Sequence, residues 1–204
     1  MAFLAGAAAM AALMALARIH ETFPGDEWAL LELRQLRAGW LTLAINVVYL
    51  AGWGNYLLPY LPMFIVAFVA LSKRWSDSLL LAACGVAPAA LNLALKELAA
   101  RPRPDADLAL VLETGYAFPS AHTVFVTAFY GALIYLLSYW EVFPGFPALR
   151  WALQGILALF ILTVGASRVY LGVHWPSDVV GGFLFGGLCL AALIAGRRWI
   201  QRIR

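Results

Sequence analysis

Residues that could do nucleophilic or acid–base chemistry gather in one stretch between two apolar segments, SRVYLGVHWPSD at positions 167–178. His174 and Asp178 are four residues apart, so a helical turn would let the carboxylate reach one imidazole nitrogen and fix the tautomer. The other nitrogen would then be free to act as a nucleophile or base. Arg168 supplies a planar fork of N–H donors that suits phosphate oxygens. A purely structural ion pair is the alternative interpretation of this stretch taken alone.

Two further polar stretches are KELAARPRP at positions 96–104 and AFPSAH at positions 117–122. In the first, two X-Pro steps disfavour helix after Lys96 and predict an extended segment. In the second, Pro119 suits the first turn of a helix, whose free N–H groups would form an anion site together with the Ser120 hydroxyl. Each stretch also has a simpler interpretation: a solvated loop whose cations reach the lipid headgroups, and an ordinary helix start with an interfacial histidine.

The rest of the chain has the composition of an integral membrane protein. Hydrophobic residues fill 64% of its 204 positions and charged residues only 12%, whereas soluble domains carry about 25% charged residues. We therefore predict an all-α helical bundle in which residues 1–204 form a single membrane-embedded domain. The net charge of +3 is small and the arginines are scattered, which argues against nucleic acid as a partner. Cys84 and Cys189 lie in apolar runs without metal-ligand spacing, so we interpret them as small buried hydrophobic residues.

Six segments are apolar and long enough to predict membrane-spanning helices: 1–17, 55–72, 77–95, 121–140, 150–166 and 179–196. The first also resembles a signal peptide, but no basic region precedes it, so we favour a retained span. Residues 20–38 alternate charged and apolar side chains, a pattern typical of a helix lying in the membrane interface. Residues 40–53 are apolar but short, and we predict an embedded or surface helix there.

Basic residues bound three of the predicted spans, at positions 73–74, 150 and 197–204. Because positive residues favour the cytoplasmic side, six spans place both termini inside and all three polar stretches on the extracytoplasmic face. That face then holds cations against the usual bias, so we infer that they have a function there. Cations, two histidines and a helix start suit a phosphate group. A single obvious carboxylate, Asp178, argues against a two-metal phosphatase and favours a metal-free covalent route.

Each of the three stretches contains one motif. In the first, six residues separate Lys96 from Arg103-Pro104, and the second reads Pro119-Ser120-Ala121-His122. In the third, five residues separate Ser167-Arg168 from His174, and three more separate His174 from Asp178. In this order and spacing they resemble the signature of the type-2 phosphatidic acid phosphatase (PAP2) superfamily. The predicted six-span plan resembles that of its bacterial membrane lipid phosphatases. The motifs cover residues 96–178, and the three-part match is specific where any one part would not be.

The resemblance implies an active site without metal or other cofactor. His174 would attack phosphorus, Asp178 would orient it, and His122 would protonate the leaving oxygen and then serve as base. The phosphoryl oxygens would be held by the remaining motif residues, Lys96, Arg103, Ser120, Ala121 and Arg168. Ser167 matches the third motif, but the sequence suggests no role for it.

A location and a substrate class are also implied. The location is the bacterial inner (cytoplasmic) membrane, crossed several times, with the active site facing outward and the C-terminus in the cytoplasm. The substrate partner is a membrane lipid phosphate, with undecaprenyl diphosphate as first candidate, then phosphatidylglycerol phosphate or phosphatidic acid, then the phosphate of lipid A. Vanadium-dependent haloperoxidases share the signature, but the predicted spans argue against them. A non-catalytic protein that binds anionic lipid is the alternative from another class, and the intact histidines argue against it.

Two positions complicate the match to the family signature. The second motif usually reads Pro-Ser-Gly-His, and Ala121 replaces the glycine, which would matter if the backbone there required a glycine-only dihedral. Arg101 begins an additional Arg-Pro pair, but the spacing from Lys96 selects Arg103 as the motif residue. We therefore expect Arg101 to face lipid headgroups or a second phosphate of the substrate.

Overall fold

The structure, a computed structural model, describes residues 1–53, 61–140 and 144–203, without the side chains of residues 48–53. These residues form eight helices and no strand: α1 Ala2–Ile19, α2 Asp26–Gln35, α3 Gly39–Trp53, α4 Leu61–Leu71, α5 Trp75–Ala99, α6 Ala121–Leu137, α7 Pro147–Tyr170 and α8 Pro176–Arg202. A single 3₁₀ turn, Ala106–Leu108, lies in the long connection between α5 and α6. The predicted all-α fold is therefore confirmed for the described residues.

Four of these helices are long and apolar enough to cross a membrane, namely α1, α5, α7 and α8. Helices α4 and α6 are apolar but shorter, with 11 and 17 residues. Part of the predicted span at 55–72, and Arg204 of the predicted basic tail, lie outside the described residues. The described residues are thus all-α and include four helices of membrane-spanning length.

Helix α6 lies at the centre of the bundle and packs against α5, α7 and α8. Two glycines of α8 let its backbone approach α6 closely. A Cβ at Gly182 would lie 2.8 Å from Thr123 Cβ, and one at Gly186 would lie 2.7 Å from the carbonyl oxygen of Val124. Small residues at such contacts are typical of membrane helix pairs, because dispersion between close backbones replaces the hydrophobic effect there.

Helices α1 and α2 both pack against α8 from outside the central helices. Met10 and Ala17 of α1 are buried, and α1 packs against α5 and α8. Helix α2 begins at Asp26, whose side chain is buried, and Leu30 packs with Trp175 and Val179. This contact brings the N-terminal quarter of the chain next to the start of α8.

Candidate active site

The structure brings all three polar stretches together at one end of the bundle. Lys96 lies on the last turn of α5, the segment 100–120 crosses this end, and α6 begins beneath it. Arg168 lies on the last turn of α7, and residues 171–175 lead into α8. The predicted span at 150–166 ended too early, because α7 continues to Tyr170 and carries Arg168 on the helix rather than in a loop.

His174 and Asp178 contact each other as their spacing predicts. The chain leaves α7 through Gly172, whose φ is +74°, and α8 starts at Pro176, so Asp178 lies in the first turn of that helix. His174 Nδ1 is 3.4 Å from Asp178 Oδ2, and the backbone N–H of Trp175 donates to the same oxygen at 2.9 Å. Both side chains of the pair are at most 1% exposed, so the carboxylate is fixed in place.

The other nitrogen of His174, Nε2, faces the cations of the site. Arg103 Nη1 lies 3.3 Å from it, and because a guanidinium can only donate, Nε2 must be the unprotonated nitrogen and Nδ1 the protonated one. Burial lowers the pKa of His174 well below its ordinary value, and the positive charges of Lys96, Arg103 and Arg168 lower it further. The imidazole is therefore neutral near pH 7, with a lone pair on Nε2.

Arg101 has a different role from the one predicted. Its side chain is fully buried, and its guanidinium lies 2.7 Å from Asp178 through Nη1 and 2.7 Å from Asp26 through Nη2. It also donates to Ser177 Oγ and to the carbonyl oxygen of Glu21. The expectation that Arg101 faces headgroups or a second phosphate is wrong, because two buried carboxylates already neutralise and hold it.

Arg103 and Lys96 are held at the site by backbone carbonyls. Arg103 donates to the carbonyl oxygen of Val173 at 2.7 Å and to that of Gly115 at 3.0 Å. Lys96 Nζ donates to the carbonyl oxygens of Tyr116 and Ala117. Carbonyls orient these cations without cancelling their charge, so a carboxylate or a phosphate can still pair with them.

Ser167 acquires a role that the sequence did not suggest. Its hydroxyl donates to the carbonyl oxygen of Val164 at 2.7 Å and accepts N–H groups of Arg168 at 3.1 and 3.2 Å. The hydroxyl thus positions a guanidinium that is itself only 1% exposed.

The start of α6 forms the floor of the site, though not quite as predicted. Pro119 precedes the helix, since Ser120 is the N-cap residue and α6 begins at Ala121. The Ser120 N–H donates to the carbonyl oxygen of Asp178 at 3.1 Å, so this group is already committed to the α8 turn. Ala121 is not among the described non-glycine residues of positive φ, so alanine fits this position without backbone strain. His122 is buried and lies within electrostatic range of the site's cations and of His174.

Glu113 is a site residue that the sequence analysis missed. One of its carboxylate oxygens lies 3.1 Å from Arg103 Nη1 and 4.0 Å from His174 Nε2, and the other lies 3.6 Å from Arg168 Nη1. It comes from the segment between the 3₁₀ turn and α6, which has no periodicity to show where its side chains point. The one available signal was that Arg103 and Arg168, gathered at one end of apolar segments, need an acidic partner if either is buried.

Comparison with known proteins gives the same family that the motifs resemble. Residues 77–202 match the family model described as the PAP2 superfamily. The chain is 33% identical to phosphatidylglycerophosphatase B of Bacillus subtilis (strain 168), over 79% of this chain and 77% of that protein. It is 41% identical to an undecaprenyl-diphosphatase of Sulfolobus acidocaldarius, over 36% of this chain and 30% of that protein.

A solved structure extends the likeness to nearly the whole fold. The crystal structure of a transmembrane PAP2-type phosphatidylglycerolphosphate phosphatase from Bacillus subtilis superimposes with a TM-score of 0.83 at 29% identity. The superposition covers 99% of this chain and 98% of that one. With its family match, its motifs and its helical fold in agreement, this chain belongs to the PAP2 superfamily and is a membrane-integrated lipid phosphatase.

Proposed function

We propose that the chain removes a phosphate or diphosphate group from a lipid at the extracytoplasmic leaflet, through a phosphohistidine formed on His174. The observation that carries the proposal is the orientation of this imidazole. Nδ1 is held by Asp178 at 3.4 Å, and Nε2 is turned toward Arg103 at 3.3 Å. A neutral imidazole fixed in this tautomer, beside oriented cations, is arranged to attack a phosphoryl group.

In the first step, His174 Nε2 forms a bond to phosphorus while the bond from phosphorus to the leaving oxygen breaks. His122, which takes up a proton from solvent as the negative charge of the phosphate enters the site, gives that proton to the leaving oxygen. Negative charge grows on the other phosphoryl oxygens, and Lys96, Arg103 and Arg168 stabilise it because they are already oriented. Asp178 stabilises the positive charge that develops on the imidazole.

In the second step, water attacks phosphorus and the bond between nitrogen and phosphorus breaks. His122 has lost its proton and now takes one from the water. Inorganic phosphate leaves, and the neutral imidazole of His174 is restored with its proton on Nδ1. The lipid product remains in the bilayer by its tails.

We further propose that α4 and α6 also cross the membrane, giving six spans, and that α2 and α3 lie in the interface. Arg150 at the start of α7 and Arg197 near the end of α8 lie at the end of the bundle opposite the site. The preference of positive residues for the cytoplasm then supports a site facing outward from a bacterial inner membrane. An impermeant reagent should leave a C-terminal tag unlabelled in intact cells. Labelling there would contradict this orientation.

Phosphatidylglycerol phosphate is the first substrate to test, since the relative aligned over 77% of its own length is named a phosphatidylglycerophosphatase. Undecaprenyl diphosphate, the first candidate from the motifs alone, is second and is supported by a shorter alignment. The residue expected to hold a second phosphate, Arg101, is instead committed to Asp26 and Asp178. Phosphatidic acid and lipid A phosphate complete the panel.

The test is phosphate release from the detergent-solubilised chain with each of these four lipids, with and without EDTA. We expect release in both conditions, and we expect His174→Ala to lose at least about a thousandfold in kcat, as covalent catalysts do. His20→Ala, which removes an exposed histidine, is the matched control. Unchanged release by His174→Ala would overturn the nucleophile assignment, and loss in EDTA would overturn the metal-free route. A chain that binds these lipids without releasing phosphate would be the non-catalytic alternative.

A further inference from the structure

The Glu113 carboxylate lies where the phosphoryl group of a substrate has to bind. Its two oxygens are divided between the two arginines of the site, 3.1 Å from Arg103 and 3.6 Å from Arg168. One of these oxygens is 4.0 Å from His174 Nε2, the nitrogen turned toward the cations. A phosphorus atom poised for attack needs to lie about 3–3.5 Å from that nitrogen, so the carboxylate and a phosphoryl group exclude each other.

The backbone on both sides of Glu113 is fastened, so its side chain is the part able to leave. On one side, the Leu110 N–H donates to the carbonyl oxygen of Leu171 at 2.8 Å, and Arg37 donates to that of Leu108 at 2.7 Å. On the other side, Arg103 donates to the carbonyl oxygen of Gly115. Glu113 is 16% exposed, which gives its side chain an outward path by rotation about its own bonds.

The charge of an incoming headgroup decides whether it is favourable for that headgroup to displace the Glu113 carboxylate from the two arginines. A carboxylate and a phosphodiester each carry one negative charge, so replacing Glu113 by a diester gains little attraction to Arg103 and Arg168. A phosphomonoester or terminal diphosphate brings about two charges and three acceptor oxygens, and it strengthens both charge-assisted contacts. The difference matters because an outward-facing site is surrounded by phosphodiester lipids.

We propose that Glu113 is an internal competitor that reserves the phosphate site for dianionic headgroups and excludes phosphodiester lipids. The proposal rests on the proposed function for the class of substrate, and it adds a specificity-determining residue to it. Glu113 acts before the chemical step, on binding, and forms no bond to substrate.

The experiment measures binding of two small probes to the full chain in detergent by calorimetry, at mildly alkaline pH. Orthophosphate represents the dianionic head, and dimethyl phosphate represents the diester. We expect Glu113→Gln to bind orthophosphate about tenfold more tightly, which is about 1.4 kcal/mol, and to gain a similar factor for dimethyl phosphate, because displacing the Glu113 carboxylate costs both ligands the same free energy. The weaker diester then binds measurably only in the variant. Glu113→Ala should do the same, and thermal unfolding of both variants checks that they are folded.

Asp107→Asn is the matched control, because it removes an exposed carboxylate from the same connecting segment. We expect it to bind both probes as the parent does. The proposal is overturned if Glu113→Gln binds orthophosphate no more tightly than the parent. It is also overturned if dimethyl phosphate gains no affinity in Glu113→Gln, or if Asp107→Asn shows the same gain. A parent that hydrolyses no lipid phosphate would refute the proposed function, while the binding comparison would still decide the role of Glu113.

Discussion

Arg101 lies 2.7 Å from Asp178, and both side chains are completely buried. The same guanidinium lies 2.7 Å from Asp26 at the start of α2. Asp178, the carboxylate that contacts His174, is therefore itself held by Arg101, a residue to which the motif resemblance gives no role. Arg101 is a positioning residue, since it reaches the imidazole only through Asp178.

Replacing Arg101 by methionine should destabilise the chain and reduce its activity together. Arg101→Met leaves Asp26 and Asp178 buried without a cation, and breaking a buried ion pair costs about 3–5 kcal/mol of unfolding free energy. Denaturation in detergent micelles measures the stability, and phosphate release measures kcat and KM separately. Arg18→Met is the control, because Arg18 is exposed on α1. We expect the loss in kcat to exceed any change in KM. An Arg101→Met variant as stable and active as the parent would show that Asp178 does not need this partner.

Gly172 should not tolerate a side chain. Its φ is +74°, and a Cβ there would collide with the carbonyl oxygen of Leu108 and lie 2.9 Å from Ala109 Cα. Gly172→Ala should therefore shift the turn that carries His174 and reduce kcat by at least about tenfold, with a loss of roughly 1–3 kcal/mol in stability from the strained backbone. Gly187→Ala on α8 is the control, because no neighbour lies within 4 Å of a Cβ at that position. Equal behaviour of the two variants would contradict the steric argument.

The pH dependence follows from the lowered pKa of His174, caused first by burial and then by the neighbouring cations. The folded imidazole stays neutral below pH 6.5, whereas in the unfolded chain it takes up a proton near that pH. Its contribution to the unfolding free energy is therefore complete above about pH 6.5 and decreases as the pH falls below it. We expect the proposed nucleophile likewise to stay unprotonated just below that pH. Imidazole ¹⁵N shifts, assigned with His174→Gln, check this. Protonation of His174 near pH 6.5 in the folded chain would contradict it.

Restoring the glycine of the second motif should change little. Ala121 begins α6 with an ordinary helical backbone, so Ala121→Gly removes no strain and costs at most about 1 kcal/mol of stability through backbone freedom. We expect kcat and KM within about threefold of the parent values, a spread of less than 1 kcal/mol. A tenfold or larger rise in kcat would mean that the alanine side chain obstructs the phosphate.

The convergence of the motifs was predictable, whereas the partners of the charged side chains were not. The lengths of the apolar runs and the number of membrane crossings place Lys96, His122 and His174 at one end of the bundle. Each spanning helix carries the chain from one face of the membrane to the other, so residues separated by an even number of spans lie on the same face. Pairing of Arg101 with Asp26 depends on how α2 docks, and nothing in the local pattern of either stretch encodes that. Glu113 was not predicted for the same reason, since no local pattern shows which side chains of its segment enter the site. The end of α7 was misjudged because an arginine after an apolar run marks a helix end and a loop equally well.

The buried link from Asp26 through Arg101 to Asp178 has a consequence for the order in which the protein becomes active. The ribosome delivers Asp26 early, Arg101 midway and Asp178 near the end of synthesis. Arg101 thus enters a partly made chain with one of its two acidic partners, and the second arrives only with α8. His174, the proposed nucleophile, is supplied at the same late stage, and its partner Asp178 is held in place only when α2 and α8 have both packed around the Arg101 guanidinium. We therefore expect a half-inserted chain to carry the cationic side chains of the site without a positioned His174, and to gain activity only when α8 has inserted.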